Sequence, residues 1–286
     1  MQKPAPRGMI RRPMSDLFIP SSPTVLDLRH GDCLAGMAAL DAESVDVVVT
    51  SPPYNLGIDY TTYRDTAPRE VFLDWCYAWA GEVRRVLRPA GSFFLNVGAA
   101  PANPLFPHEV LLKLQPLFRL QNTFHWIKSI TVQPRQAPEL SVGHFKPINS
   151  PRFVTDCHEY VFHLTKTGHV PLDRLAIGVE YADKTNIARW GHTEGRDQRC
   201  RGNNWFIPYK TIKSRADDRP HPATFPAQLA EWCIRLHGNT ATQTVLDPFL
   251  GLGHAAEAAM KCGVQKFIGF EIDPGYLHEA RQRLTS

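Results

Sequence analysis

No hydrophobic run in this chain approaches the ~18 residues needed to cross a membrane. The first residues also lack the apolar core of a secretory signal. Both absences lead to the expectation of a cytoplasmic protein without a membrane partner. Cysteine is scarce, with six scattered residues and no Cys-x-x-Cys pair. This suggests free thiols in a reducing compartment. Cys157, His158, His163 and Cys200 match no common zinc spacing, so no metal is expected. Excess charge is small as well: 32 Lys/Arg against 28 Asp/Glu leaves +4.

The composition is that of a globular protein. With 286 residues, 43% of them hydrophobic, the chain can bury one large α/β core and carry an inserted subdomain. Residues 1–23 are rich in Pro and Arg. Asp16 is its first acid, as in a transit peptide, but Pro4, Pro6 and Pro13 would interrupt an amphipathic helix, so the segment reads as a disordered arm in preference to a transit peptide.

Two segments carry the chemistry. The first is the β-branched run Val45–Thr50, which reads as a buried strand and ends at Ser51-Pro52-Pro53-Tyr54. Consecutive prolines stop the strand and stiffen the turn, because each fixes its φ and lacks an N–H. Such a turn at the carboxyl end of a parallel strand is where open α/β sheets hold ligands. Ser51 offers a hydroxyl, Pro52 a carbonyl and Tyr54 a flat ring. These parts suit a flat, amino-bearing ring.

The second segment is Thr244–Gly253, a strand running through Asp247-Pro248-Phe249 into Gly251 and Gly253. A helical pattern follows over His254–Cys262, with Gly263 at its end. Phe267–Asp273 is then a strand ending in acids. Strand, Gly-x-Gly, helix, strand and acid is the layout of a nucleoside-binding βαβ unit. It is not the dinucleotide fingerprint, because Ala256 stands where the third glycine would be.

Taken together, Thr-Ser-Pro-Pro-Tyr-Asn at 50–55, His-Pro-Ala-Thr-Phe-Pro at 221–226 and Asp-Pro-Phe-x-Gly-x-Gly at 247–253 resemble the S-adenosylmethionine-dependent amino-methyltransferases of DNA. The resemblance extends over residues 25–284, with the catalytic motif first and the cofactor motif last, as in the β-type order. It implies a Rossmann-like α/β fold: a mixed, mostly parallel sheet, helices on both faces, and an inserted target-recognition region. The residues themselves supply matching elements. Strands are expected at Leu26–Arg29, Ser92–Gly98, Thr123–Ile127 and Tyr160–Leu164. Helices are expected at Val71–Leu87, ended by Pro89 and Gly91, and near His108–Leu114. Trp75 and Trp79 lie at core spacing on the first of these helices.

The resemblance implies roles for individual residues. Ser51 and the Pro52 carbonyl would accept hydrogen bonds from the target amine, Pro53 would stiffen the loop, and Tyr54 would stack on a flipped base. Glu271 would take the ribose hydroxyls, with Asp273 as a second candidate or the cap of a helix starting at Pro274. Asp32 would lie near the adenine or be a turn residue. Asp247 would lie near the methionine amino group, beside Pro248, Phe249, Gly251 and Gly253. Thr224 and Phe225 would line the same pocket or pack the chain. His254 departs from the usual Ser or Thr after the second glycine.

The chain accordingly divides into the arm 1–23, a catalytic half 24–165, a target-recognition region 166–219 and a cofactor half 220–286. Residues 166–219 hold 11 Lys/Arg and 7 Asp/Glu, a net of +4 that equals the excess of the whole chain. Arg196, Arg199, Arg201, Lys210 and Lys213 are the candidate double-stranded DNA contacts, interleaved with Trp190, Trp205 and Tyr209. A solvated insertion is the alternative. Residues 131–152, with Arg135, His144, Lys146 and Arg152, form a second DNA-facing candidate or an ordinary long loop.

The expected activity is methyl transfer to cytosine N4. Ser at position 51 favours cytosine, whereas Asp there is more usual for adenine N6. No cysteine follows a proline, which excludes the covalent route to cytosine C5 used in its known family. Adenine N6, RNA methylation and a non-catalytic nucleic-acid-binding subunit are the alternatives. A bacterial, nucleoid-associated location and a homodimer are further expectations.

Overall fold

The computed structural model describes residues 23–55, 57, 62, 65–101, 103–133, 138–143, 150–185, 187, 189, 191–193, 195–208 and 224–285. Lys210, Lys213, Tyr209, Trp190, Arg135, His144, Lys146, His221 to Ala223 and nearly all of the arm 1–23 lie outside them.

In chain order the elements are β1 (Val25–His30), α1 (Cys33–Ala38), β2 (Val45–Thr50), α2 (Arg69–Val86), β3 (Leu87–Val97), α3 (Phe106–Leu114) and β4 (Arg119–Ile127). Next come β5 (Ser129–Val132), β6 (Leu140–Gly143), β7 (His158–Thr165), β8 (Asn204–Phe206) and α4 (Ala227–His237). The chain closes with β9 (Thr244–Asp247), α5 (His254–Cys262), β10 (Lys266–Glu271) and α6 (Pro274–Thr285). Among the described residues, eight strands form one sheet in the order β1-β10-β9-β2-β3-β7-β4-β8. The run from β1 to β3 is parallel, while β7 is antiparallel to both neighbours. This is the Rossmann-like mixed, mostly parallel sheet.

Helices cover both faces. On one, α4, α5 and α6 pack over Val47, Val49, Phe94 and Val245. On the other, α1, α2 and α3 pack over Val48, Phe93, Leu95 and Leu246. Val47, Val48 and Val49 thus enter opposite cores in turn, which is why this stretch of β2 is apolar on both faces, whereas Asp46 near its start pairs with Arg88. Phe72, Cys76, Trp79, Val83 and Val86 of α2 recur at helical spacing and are buried. Each such aliphatic or aromatic side chain contributes ~1.5–3 kcal/mol when taken fully out of water.

Helix α2 ends at Val86 and β3 begins at once, so Pro89 and Gly91 lie inside the strand and do not terminate the helix as expected. They occupy a bulge: β2 and β3 pair at Val45–Leu87 and then at Val47–Ser92. A bulge accommodates a proline that cannot donate to the ladder. Gly91 is needed there, because a Cβ would stand 2.9 Å from the Asp46 carbonyl oxygen.

β5 and β6 pair antiparallel as a separate two-stranded sheet. Within the basic segment, β8 joins the main sheet by pairing with β4. Trp205 on β8 is fully buried, stacked on Phe124 at 4.2 Å and edge-on to Trp232 at 5.7 Å. It belongs to the core and not to a DNA-facing surface.

Candidate active site

The sheet reverses its winding between β9 and β2, because β9 leads through α5 to β10 on one side and β2 leads through α2 to β3 on the other. The carboxyl ends of both strands flank the resulting crevice, the usual ligand site of an open α/β sheet. The two motifs, far apart in sequence, meet here. Thr50 Oγ1 donates to Asp247 Oδ1 at 2.6 Å.

Asp247 is 1% exposed. Burial pushes its carboxyl up to about 7; the Thr50 hydroxyl and the Phe249 N–H oppose this, and the nearby Glu271 charge reinforces it. Pro248 and Phe249 follow, and the Phe249 ring packs against Trp75 and Trp79 at 5.5 and 5.3 Å. Trp79 is therefore core, as expected, while Trp75 also braces the rim of the crevice. Gly251 and Gly253 both have left-handed backbones, with φ of 51° and 80°, which side chains disfavour. Glu271 holds this turn: its Oε2 accepts from Gly251 N at 2.7 Å and its Oε1 from Asp273 N at 2.9 Å. Burial raises the Glu271 carboxyl against the pull of those N–H donors.

Asp273 caps α6, accepting from Gly275 N at 2.7 Å and Tyr276 N at 3.1 Å. Its other oxygen accepts from Thr62 Oγ1 at 3.3 Å. Asp32 likewise caps α1 through Leu34 N and Ala35 N at 2.9 and 3.2 Å. The Gly31 N–H donates to the Glu271 carbonyl at 2.8 Å, so Asp32 stands beside the β10 end. Phe225 is buried in the core with Leu229, and Thr224 before it is half-buried. His254 Nε2 bonds to Arg283 Nη1 at 2.6 Å on the exposed side of α5.

Across the crevice, the turn after β2 is closed from behind. Asn55 has a φ of 54° and exchanges two bonds of 2.8 Å with the Ala67 backbone, while its N–H donates to the buried Asp65 at 2.8 Å. Asparagine tolerates this left-handed geometry better than most residues. Ser51 Oγ and Tyr54 Oη are 2.7 Å apart, and the Tyr54 ring packs on Phe106. Sequence reasoning missed the residues behind them. Asn96 Nδ2 from β3 donates to Glu159 Oε2 at 2.7 Å, to Tyr54 Oη at 2.9 Å and to Ser51 Oγ at 3.3 Å. Glu159 from β7 also accepts from Tyr54 Oη at 3.1 Å and pairs through Oε1 with Lys128 at 3.0 Å. The available signal was one polar residue at the end of an apolar strand, Phe93-Phe94-Leu95-Asn96.

The basic candidates separate. Arg196 and Arg199 are exposed. Arg201 is not displayed in the same way: its guanidinium lies 4.1 Å from the Trp232 ring centroid and its Nε donates to the Ile177 carbonyl at 2.8 Å. Packing on the aromatic ring commits it to holding the segment against α4. Among the described residues no group of His, Cys, Asp and Glu is arranged to hold a metal. None of their helices is long and apolar enough to cross a membrane.

A crevice with a nucleoside-type turn on one side and a proline-stiffened hydroxyl turn on the other defines a group-transfer site. The profile of the N6/N4 DNA methylase family (N6_N4_Mtase, "DNA methylase") matches residues 45–282, and the chain belongs to that family. It is an S-adenosylmethionine-dependent DNA amino-methyltransferase. The DNA adenine methyltransferase YhdJ of Escherichia coli K12 is 28% identical over 89% of this chain and 81% of its own. The Type II methyltransferase M.ScaI of Streptomyces caespitosus is 28% identical over 91% and 81%. Among solved structures, the cytosine-N4-specific PvuII DNA methyltransferase shares the fold at a TM-score of 0.67, with 22% identity over 92% of this chain and 87% of that one. A putative DNA modification methylase of Thermus thermophilus, TTHA0409, complexed with S-adenosyl-L-methionine, superposes at a TM-score of 0.60 with 25% identity over 91% and 93%.

Proposed function

We propose that this protein methylates the exocyclic N4 of a cytosine flipped out of double-stranded DNA. The observation that carries the proposal is the neutral Ser51 hydroxyl at the head of the turn, joined to Tyr54 at 2.7 Å. S-adenosylmethionine supplies an electrophilic methyl group on a sulfonium. The amine of cytosine is a poor nucleophile, because its lone pair is delocalised into the ring. Ser51 Oγ and the Pro52 carbonyl accept from that amine and favour the charge that develops on nitrogen over the planar ground state. Pro53 keeps the acceptors in place, and Tyr54 stacks on the base.

The donor set on the other side fits the cofactor. Asp247, a buried acid on the crevice wall, meets the methionine ammonium, with Pro248 and Phe249 alongside. Gly251 and Gly253 let the backbone approach closely. Glu271 keeps lone pairs for the ribose hydroxyls beyond the backbone donors it already holds. Asp32 and Asp273 frame the adenosine end as helix caps. Thr224 and Phe225 back the pocket. Arg196 and Arg199 contact phosphates, together with Lys210 and Lys213, which lie outside the described residues.

Nucleoside analysis tests the product. After incubation with methyl-labelled cofactor and genomic DNA, the label should appear in N4-methylcytosine. N6-methyladenine as the only labelled nucleoside would overturn the base assignment and leave amino-methyl transfer intact. YhdJ, an adenine enzyme, makes that outcome the sharpest competitor.

A further inference from the structure

We propose that Glu159 fixes the direction of a hydrogen-bond chain through Tyr54 to Ser51, and that the proton shed by the methylated amine leaves along it. The inference rests on reading Ser51 as the acceptor of the amine. For that role Ser51 must turn a lone pair to the substrate, so its own proton needs a partner elsewhere. Tyr54 Oη stands 2.7 Å away and can accept it. Tyr54 must then donate its own proton onward, and Glu159 Oε2 lies 3.1 Å from it.

A carboxylate only accepts, and the Asn96 amide nitrogen only donates. One Asn96 Nδ2 hydrogen goes to Glu159 Oε2 at 2.7 Å and the other is shared between Tyr54 Oη at 2.9 Å and Ser51 Oγ at 3.3 Å, which discourages either hydroxyl from pointing its hydrogen back at Asn96. Lys128 occupies Oε1 of Glu159 from the other side, so Oε2 is the oxygen offered to Tyr54 and Asn96. Tyr54 Oη also lies 3.3 Å from the Asn96 backbone carbonyl oxygen, but the shorter contact to a charged acceptor favours the order amine to Ser51, Ser51 to Tyr54, Tyr54 to Glu159. A second observation supports a built arrangement. A Cβ on Gly98 would come within 3.0 Å of Glu159 Cγ and Cδ and 3.2 Å of Tyr54 Cε2, so a glycine at the end of β3 gives both side chains their room.

The step balances. The nitrogen–methyl bond forms as the sulfonium carbon–sulfur bond breaks, and that electron pair stays on sulfur. The proton lost from nitrogen goes to Ser51 Oγ, the Ser51 proton to Tyr54 Oη, and the Tyr54 proton to Glu159 Oε2. The Glu159 side chain, 16% exposed, then returns the proton to solvent. Glu159 touches no substrate atom in this scheme and is a positioning residue acting through Tyr54.

The test is single-turnover methylation of DNA at saturating cofactor by E159Q, Y54F, their double variant and S51A. E159Q keeps the shape and one carbonyl acceptor but loses the charge that would take up the proton. Y54F keeps the stacking ring without its hydroxyl. We expect each to bind S-adenosylmethionine as wild type does and to transfer methyl ~10²-fold more slowly. The double variant should be no slower than the slower single one, because both break one chain. Wild-type transfer in either single variant, with S51A inactive, would overturn the chain and leave the reading of Ser51 standing. Multiplying losses in the double variant would also overturn it. Wild-type transfer in S51A would instead refute the acceptor role on which the chain depends.

Discussion

Thr50 donates its hydroxyl to Asp247 across 2.6 Å, although 197 positions separate them in sequence. This bond ties the end of β2 to the end of β9 where the two strands flank the crevice. It also gives the site a pH dependence. Burial holds the Asp247 carboxyl up to about 7, whereas an unfolded Asp ionises near 3.8. Between those values the unfolded chain has lost the proton that the folded chain keeps. The contribution of Asp247 to stability therefore falls as pH rises from 3.8 towards about 7.

A cationic ligand reverses that preference, because it favours the ionised carboxylate. The affinity for S-adenosylmethionine should rise with pH up to about 7 and then level off, and D247N should flatten the profile. T50V, which removes a donor to the carboxylate, should move the wild-type inflection upward. Calorimetric titration across pH checks all three; a wild-type profile without inflection would remove Asp247 from the cofactor's ammonium.

Gly98 is expected to be intolerant of a side chain for a local reason. G98A should keep the fold and cofactor affinity while slowing methyl transfer, since its Cβ would press on Glu159 and Tyr54. Circular dichroism and a single-turnover assay separate the two effects. An unimpaired rate in the folded variant would mean that these side chains give way at no cost.

The basic segment should divide into binding and packing residues. R196A with R199A should weaken binding to every duplex and lower the slope of log affinity against log salt by about 0.9 per lost phosphate contact. W205A should act on stability instead, at ~3–5 kcal/mol for a buried tryptophan, without a specific effect on that slope. Fluorescence anisotropy across a salt series and thermal melts distinguish them. A salt slope unaltered in the arginine variant would point to a solvated insertion.

The contrast between Trp205 and Ser51 shows what was legible in the sequence. Ser51-Pro52-Pro53-Tyr54 could be placed because a β-branched strand and two prolines fix it locally. The turn through Gly251 and Gly253 was legible because its backbone needs glycine, as the left-handed φ values bear out. Trp205 sits among arginines and asparagines, and only the pairing of β8 with β4 takes it inward. Asn96 and Glu159 come from β3 and β7, so their meeting with Tyr54 depends on an antiparallel register that no local pattern encodes. Helix α2 was visible from its apolar spacing, but its end was not, because Pro89 and Gly91 belong to a bulge in the next strand.

The central claim is that one crevice holds the cofactor on its β9–β10 side and the target amine on its β2 side. Calorimetric titration of S-adenosylmethionine into D247A, E271A and S51A tests it most directly. Each acid removed takes away a charged hydrogen-bond acceptor of ~1.5–3 kcal/mol, so D247A and E271A should bind at least ~10-fold more weakly. S51A should bind as wild type does while losing transfer. Unchanged affinity in both folded acid variants would contradict the account, because the cofactor would then lie elsewhere.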